Sequence, residues 1–164
     1  MNPLYSYLLH SDPELDLSFE RQVDLPLDAL WQGWTDPTEI IHWFTPTPWQ
    51  TTACRIDLRP GGEFYTQMKS PEGQIIDNFG CFLFIVPKSL LVFTDTMLSG
   101  FRPSGNDFTT IFLSFESNTH NITSYKALVK HKNVENKTKH EEMGFHKGWG
   151  IALDQLVARQ KSKT

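Results

Sequence analysis

CRIDLRPGGEF, running from Cys54 to Phe64, sets charged and apolar side chains on alternate positions and then stops the pattern with Pro60-Gly61-Gly62. Alternation with a period of two marks a strand with two unlike faces. Ile56 and Leu58 fall on one side, and Arg55, Asp57 and Arg59 on the other. A second alternating run covers Glu63–Lys69, so Thr52–Leu58 and Glu63–Lys69 are expected to pair as a hairpin. The glycines between them supply the positive φ that a tight corner needs. The charged side has two readings. Asp57 with Arg55 or Arg59 is either a charged reader of a ligand or a surface ion pair that steadies the turn.

Outward from this hairpin the strand signal persists from Thr51 to His131. SPEG at Ser70–Gly73 is a turn into Gln74–Val86, a long strand expected to bulge near Asn78–Gly80. Further turns at PKS, RPSGND and SNTHN lead to strands Leu90–Leu98, Phe108–Glu116 and Ile122–His131. Short, regular spacing of turns marks a meander of antiparallel neighbours. Upstream, Leu15–Val23 alternates as a strand. Pro26 suits the start of a short helix carrying Leu27, Leu30, Trp31 and Trp34. Asp36-Pro37-Thr38-Glu39 then forms a capping box with proline at the first helical position, opening a second short helix.

After His140 the period changes. Met143, Phe145, Trp149, Ala152, Leu153 and Leu156 form one stripe at helical spacing, in a helix of roughly twenty residues. Gly144, Gly148 and Gly150 lie within it. Glycine inside a helix costs about 1 kcal/mol relative to alanine, so either close approach to a curved sheet or space for a ligand must compensate. The Lys126–His140 stretch, with its interleaved lysines and glutamates, reads as a solvated strand edge and loop.

A chain of 164 residues can bury a core without disulfides or metals. Its net charge of −4 argues against a dedicated nucleic-acid binder. The N-terminus lacks the basic and apolar regions of a signal peptide, and no apolar run is long enough to span a membrane. The two cysteines, Cys54 and Cys81, are expected as buried free thiols in a cytoplasmic protein. No HExxH, CxxC or Cys–His pair with ligand spacing occurs, and no nucleophile elbow, phosphate loop or dinucleotide fingerprint. No metal or other cofactor is implied. Twelve Phe, five Trp and four Tyr are the unusual feature. Aromatic side chains suit wide cores and the walls of apolar cavities alike.

LDALWQGWTDPTEIIHWFTP resembles the VWxAxTDPexLxxWxxP signature of the family named after the activator of the heat-shock-chaperone ATPase. CRIDLRPGGEF is similar to its xxxDLRPGGxF hairpin, GCFLFIVPKSLLVFT to its GxfxeVxPpeRLvfT block, and GWGIALDQL to its closing GWxxxLdxL. The four blocks occur in order from about Phe19 to Leu156. Ile85 and Leu90 stand where that family usually has Glu and Arg, so polar sites at those positions are not carried over. The resemblance implies an α+β helix-grip fold of the START-like, or Bet v 1-like (SRPBCC), superfamily. In it a curved antiparallel sheet of about seven strands wraps around a long C-terminal helix, with two short helices after strand 1. The chain is then expected to be one START-like domain over residues 1–164, with its core at about 15–160.

In that fold a cavity is expected between sheet and C-terminal helix. Candidate lining residues are Trp31, Trp34 and Trp43 on the short helices, Phe64, Phe82, Phe84, Phe93 and Phe112 on strands, and Trp149 on the long helix. Strand parity puts Phe82 and Phe84 on one face. His42, Asp57, Tyr65, Asp95 and Tyr125 are the polar candidates. The leading expectation is a non-enzymatic domain that binds a small apolar or aromatic ligand. A co-chaperone-like stimulator of a heat-shock chaperone ATPase, with a role in stress response, is the alternative. A cyclase- or dehydratase-like acid/base enzyme is the third reading, and it requires His42, Asp57 or Asp95 to face inward. A homodimer is compatible with all three.

Overall fold

The computed structural model of the chain describes residues 3–118 and 121–163. Its elements in order are α1 (Pro3–Leu8), β1 (Asp16–Val23), α2 (Leu27–Thr35), α3 (Pro37–Ile40), β2 (Gln50–Ile56), β3 (Glu63–Lys69), β4 (Ile75–Val86), β5 (Leu90–Thr94), β6 (Met97–Leu98), β7 (Arg102–Pro103), β8 (Thr110–Ser117), β9 (Thr123–Lys130), α4 (Val134–Glu142) and α5 (Phe145–Lys161). Seven strands make one antiparallel sheet in the order β1-β9-β8-β5-β4-β3-β2, and β6 and β7 pair as a separate short ribbon. The middle of the chain is thus a meander. β1 joins it at the far edge, so α2 and α3 must carry the chain from one edge of the sheet to the other. That crossing lays the short helices beside α5 on the concave face, the helix-grip arrangement the sequence resembles.

The core sits between the sheet and these helices. Phe64, Phe82, Leu91, Phe93, Leu113, Phe115, Tyr125 and Ala127 from the strands meet Leu30, Trp34, Ala152, Leu153 and Leu156 from the helices. Register decides which aromatics take part. Phe82 lies opposite Phe93, and Phe93 opposite Ile111; Phe84 lies opposite Val92, and Val92 opposite Phe112. A bulge between Phe82 and Phe84 shifts the β4 register. The extra residue turns Phe84 to the other face. Phe82 and Phe84 therefore do not share a face, and the bulge lies beyond the Asn78–Gly80 position expected for it. Phe84 and Phe112 stand on the convex side, where Lys130 Nζ approaches the Phe112 ring.

The Pro60-Gly61-Gly62 corner is fixed by its neighbours. Gly61 N donates to Phe82 O at 2.7 Å, Phe82 N donates to Gly62 O at 2.9 Å, and Gly100 N donates to Gly61 O at 2.7 Å. A Cβ at Gly62 would lie 1.9 Å from Asp57 O, a backbone atom that cannot move aside. The charged residues of the stretch form exposed pairs. Arg59 Nε donates to Asp57 Oδ2 at 2.7 Å, and Arg55 Nε donates to Glu63 Oε1 at 2.9 Å. Such pairs contribute little to stability.

Three further sequence expectations differ from the structure. The segment before the long helix is not loop but α4, capped by Asn133, whose side chain accepts from Asn136 N. The long helix is shorter than expected, because Gly144 at φ 92° ends the α4 run and starts α5 anew. Met143, expected on the buried stripe, is consequently 67% exposed. Glu39 does not close a capping box either. Asp36 caps α3 by accepting from Thr38 N, while its own N–H is already bonded to Gln32 O. Glu39 instead turns inward and accepts from Arg159 Nε at 3.0 Å, Gln160 Nε2 at 3.1 Å and Lys163 Nζ at 2.9 Å.

Two stability predictions follow from these contacts. Gly62→Ala should lower the free energy of unfolding by about 2–4 kcal/mol, whereas Gly105→Ala, with open space around it, should stay near the parent value in urea titrations. Glu39→Gln should cost about 2–3 kcal/mol, because it removes the charge that Arg159 and Lys163 converge on. An unchanged midpoint for Glu39→Gln would show that the clamp carries no net stability.

Candidate functional site

Between α5, the short helices and the concave sheet lies a cavity of about 270 Å³, bordered by Trp34, Trp43, Phe44, Phe93, Ile111, Tyr125, Phe145, Trp149, Ala152 and Leu153. A second hollow of about 430 Å³ adjoins it, bordered by Phe64, Thr66, Met68, Asn78, Asp95 and Phe108. The two share Phe44, Pro46, Phe93, His140 and Met143 as a common wall. The inner cavity has no Lys, Arg, Asp or Glu on its lining.

The walls are locked together. Trp34 packs edge-on against Trp43 at 4.8 Å between ring centres, and stacks with Trp149 at 6.4 Å. Phe64 and Phe82 stack at 5.1 Å, with Phe93 meeting Phe64 edge-on at 4.9 Å. Trp43 Nε1 donates to Gly33 O at 2.9 Å. Gln155 on α5 reaches over to donate to Trp43 O and Thr45 O, and accepts from Thr47 N. Phe44 and Pro46 are thereby pinned at the cavity wall. Gly148 borders the cavity, while a Cβ added at Gly150 would lie 3.2 Å from the Arg21 guanidinium on β1. Close approach to the sheet thus accounts for Gly150.

Polar groups at the cavity are few. Trp149 Nε1 donates to the Tyr125 hydroxyl at 3.0 Å. Burial raises the Tyr125 hydroxyl well above the ordinary tyrosine value, opposed by the indoles of Trp149 and Trp34, so it stays protonated. Trp34 Nε1 lies close to the same hydroxyl but makes no hydrogen bond of acceptable length and angle, and it is fully buried. At the common wall, His131 Nδ1 must donate to the Leu15 carbonyl, 2.9 Å away. Its Nε2 is then an acceptor, so His140 Nδ1 donates to it, also at 2.9 Å. That chain leaves His140 Nε2 as a free acceptor. Burial, and then the neighbouring His131, push His140 down to about 4; burial also lowers His131. Asp95 borders the adjoining hollow and accepts from Thr109 N at 3.1 Å, and burial holds its carboxyl above the usual range.

Of the residues predicted from sequence, Trp34, Trp43, Phe93, Tyr125 and Trp149 meet at the inner cavity, and Phe64 and Asp95 at the adjoining one. Phe82 lies behind Phe64 in the packed core, and Trp31 packs edge-on against Phe115. Phe84 and Phe112 are on the opposite face, as is Tyr65, whose hydroxyl donates to Asp77 Oδ1 at 2.7 Å. His42 and Asp57 are exposed, away from both hollows. Phe44, Ile111, Phe145 and the His131–His140 pair were missed. Phe44 is signalled by its place next to Trp43; the histidine pair joins a strand end to a helix, and no sequence spacing announces it. Burial pushes the Cys54 thiol up to about 12, which removes it as a nucleophile. Among the described residues no cluster of three or more His, Cys, Asp or Glu could hold a metal ion. No described helix is long and apolar enough to cross a membrane.

A sheet curved around a C-terminal helix, with a hollow between them, defines a helix-grip protein. The chain belongs to the family described as activator of Hsp90 ATPase homolog 1-like protein, whose model matches residues 24–160. A crystal structure of a Nitrosomonas europaea protein is similar at 38% identity and TM-score 0.90, over 93% of this chain and 98% of that one. A solution structure from Arthrobacter aurescens shares the fold at 23% identity and TM-score 0.78, over 93% and 90% of the two chains. Another, of an AHSA1-like protein from Aeromonas hydrophila, does so at 21% identity and TM-score 0.65, over 91% and 94%. No functionally curated protein matches the chain.

The histidine pair makes a pH prediction. The unfolded chain protonates these rings near the ordinary value of 6.5, the folded chain only at lower pH, reaching about 4 for His140. Their contribution is complete above 6.5 and is lost as pH falls from there towards 4. Between pH 7 and pH 4.5 the parent should lose about 1–2 kcal/mol in urea unfolding, after allowance for solvent access. His140→Gln should flatten that slope. Glu39, whose folded carboxyl is held low by Arg159 and Lys163 despite burial, loses its contribution only below 4.5, so the two windows separate.

Proposed function

We propose that the whole chain works as one START-like domain in the cytoplasm, holding a small apolar or aromatic ligand between the sheet and the C-terminal helix without transforming it. The observation that supports this is the inner cavity: about 270 Å³, walled by aromatic rings from four different elements and free of charged side chains. A packed core closes such a space with side chains, since interiors approach crystal density. An apolar cavity of about 150 Å³ accommodates benzene, so this one suits a fused bicyclic ring or a molecule of similar bulk. Ligand entry is consistent with the exposed Met143 and the Gly144 break beside the opening.

The family to which the chain belongs supplies the second reading, stimulation of a chaperone ATPase through the outer surface. A mixture of this protein with the cognate chaperone that shows no change in ATPase rate removes it.

The ligand reading is tested by thermal unfolding against fused-ring aromatics and medium-chain fatty acids. A ligand that binds only the folded state at one hundred times its dissociation constant adds about 2.7 kcal/mol. At least one compound should raise the midpoint in proportion to the logarithm of its concentration. Ala152→Leu, which fills the cavity, should raise the midpoint of the free protein and abolish the ligand-dependent shift. No shift across both classes would overturn the proposal.

A further inference from the structure

The inner cavity has an imbalance of hydrogen-bonding groups. Trp34, Trp149 and Tyr125 bring two indole N–H groups and one hydroxyl hydrogen to the same place. The single acceptor among them is the Tyr125 oxygen; Trp149 Nε1 donates to it, and Trp34 Nε1 lies near it without the length and angle of a hydrogen bond. Trp34 Nε1 has no acceptor, and it is the one fully buried side-chain nitrogen or oxygen without a partner among the described residues. The Tyr125 hydroxyl hydrogen has no protein acceptor among them either. Burial keeps that hydroxyl protonated, so its hydrogen remains available. A buried donor left unpaired is costly, and native interiors pair more than nine in ten such groups.

We propose that this end of the cavity is a carbonyl-binding subsite, where Trp34 Nε1, with the Tyr125 hydroxyl beside it, donates to a neutral oxygen of the bound molecule. The inference rests on the ligand-binding reading above and narrows its chemistry. The oxygen must be neutral, because no Lys or Arg borders the cavity to balance a buried anion. It must accept and need not donate, because the one unpaired side-chain acceptor named on the lining, His140 Nε2, lies at the wall shared with the adjoining hollow. The remainder of the molecule must be compact and mostly apolar, since apart from His140 the other walls are apolar, among them Phe44, Phe93, Ile111 and Leu153. A cyclic or aryl ketone meets all three requirements.

The test compares 1-indanone with indane, two bicyclic probes of nearly equal shape that differ by one carbonyl oxygen. Water holds the ketone more strongly, so a purely apolar pocket prefers indane. Titration calorimetry on the parent protein should show 1-indanone binding at least as tightly as indane. Trp34→Phe should reduce the indanone-to-indane affinity ratio by about tenfold. The parent alone also carries the test through a second readout. In ¹⁵N-labelled protein the Trp34 indole N–H resonance should move downfield with 1-indanone and stay in place with indane. Tighter binding of indane to the parent by tenfold or more, or a Trp34 resonance indifferent to the carbonyl, would overturn the subsite while leaving the ligand-binding reading intact. Binding of neither probe, nor of any compound in the thermal screen, would overturn both.

Discussion

The buried carboxylate of Glu39 governs where the C-terminal helix lies. It is 4% exposed and accepts hydrogen bonds from three groups at the end of the chain, the side chains of Arg159, Gln160 and Lys163. A buried charge is tolerated only when paired and hydrogen-bonded, so α3 and the last turn of α5 have one relative position that satisfies it. Gln155, one and a half turns earlier, ties the same helix to the Trp43–Thr47 segment through backbone bonds. The C-terminal half of α5 is thus held by directional polar contacts, and its buried Leu153 and Leu156 complete the core there. The N-terminal half, where Gly144 and Gly148 stand, is tied to the sheet by the bond from Trp149 Nε1 to the Tyr125 hydroxyl and by the buried Phe145 ring.

The chain's secondary structure was legible where local chemistry and tertiary need agree. The Pro60-Gly61-Gly62 corner, the Asp36-Pro37 helix start and the meander are all written in residues that favour one backbone geometry. Legibility failed at α4, Val134–Glu142, because that helix buries no residue and has no apolar stripe to reveal it. Its local support is the Asn133 cap, with Glu135 in the first turn and Lys139 in the last placed to suit the helix dipole, while the neutral His140 ties it to His131. It failed also at the β4 bulge. An extra residue in a strand leaves no mark in the alternation when both flanking faces are apolar, as they are through Cys81–Val86.

The site divides along the same line. That the aromatics should line a cavity depends on their number and the fold, and five of the nine named rings border one of the two hollows. Which ring faces which side depends on register, and one bulge is enough to send Phe84 outward while Phe82 stays in. Glu39 shows the converse error. Its spacing from Asp36 suits a capping box, yet the Asp36 N–H is already taken by Gln32, and two cations and an amide on a distant helix compete for the carboxylate. Local pattern loses to tertiary contact when the partner is buried and charged.

The two faces of the sheet also treat polar groups differently. On the convex side Tyr65 donates to Asp77, Gln67 donates to the same carboxylate, and the Arg55 guanidinium lies 3.9 Å from the Tyr65 ring centre. Every member of that network has a partner, and it borders neither of the two hollows described above. On the concave side Tyr125 and Trp34 sit among aromatic rings with hydrogens that no protein oxygen accepts. Replacing Trp34 by phenylalanine would keep most of the apolar surface and remove the unmatched indole N–H, so packing does not explain it. Polar hydrogens retained in an otherwise apolar wall are explained by a molecule that brings the missing acceptor, and the specificity of such a pocket then comes from one oxygen set against a background of shape.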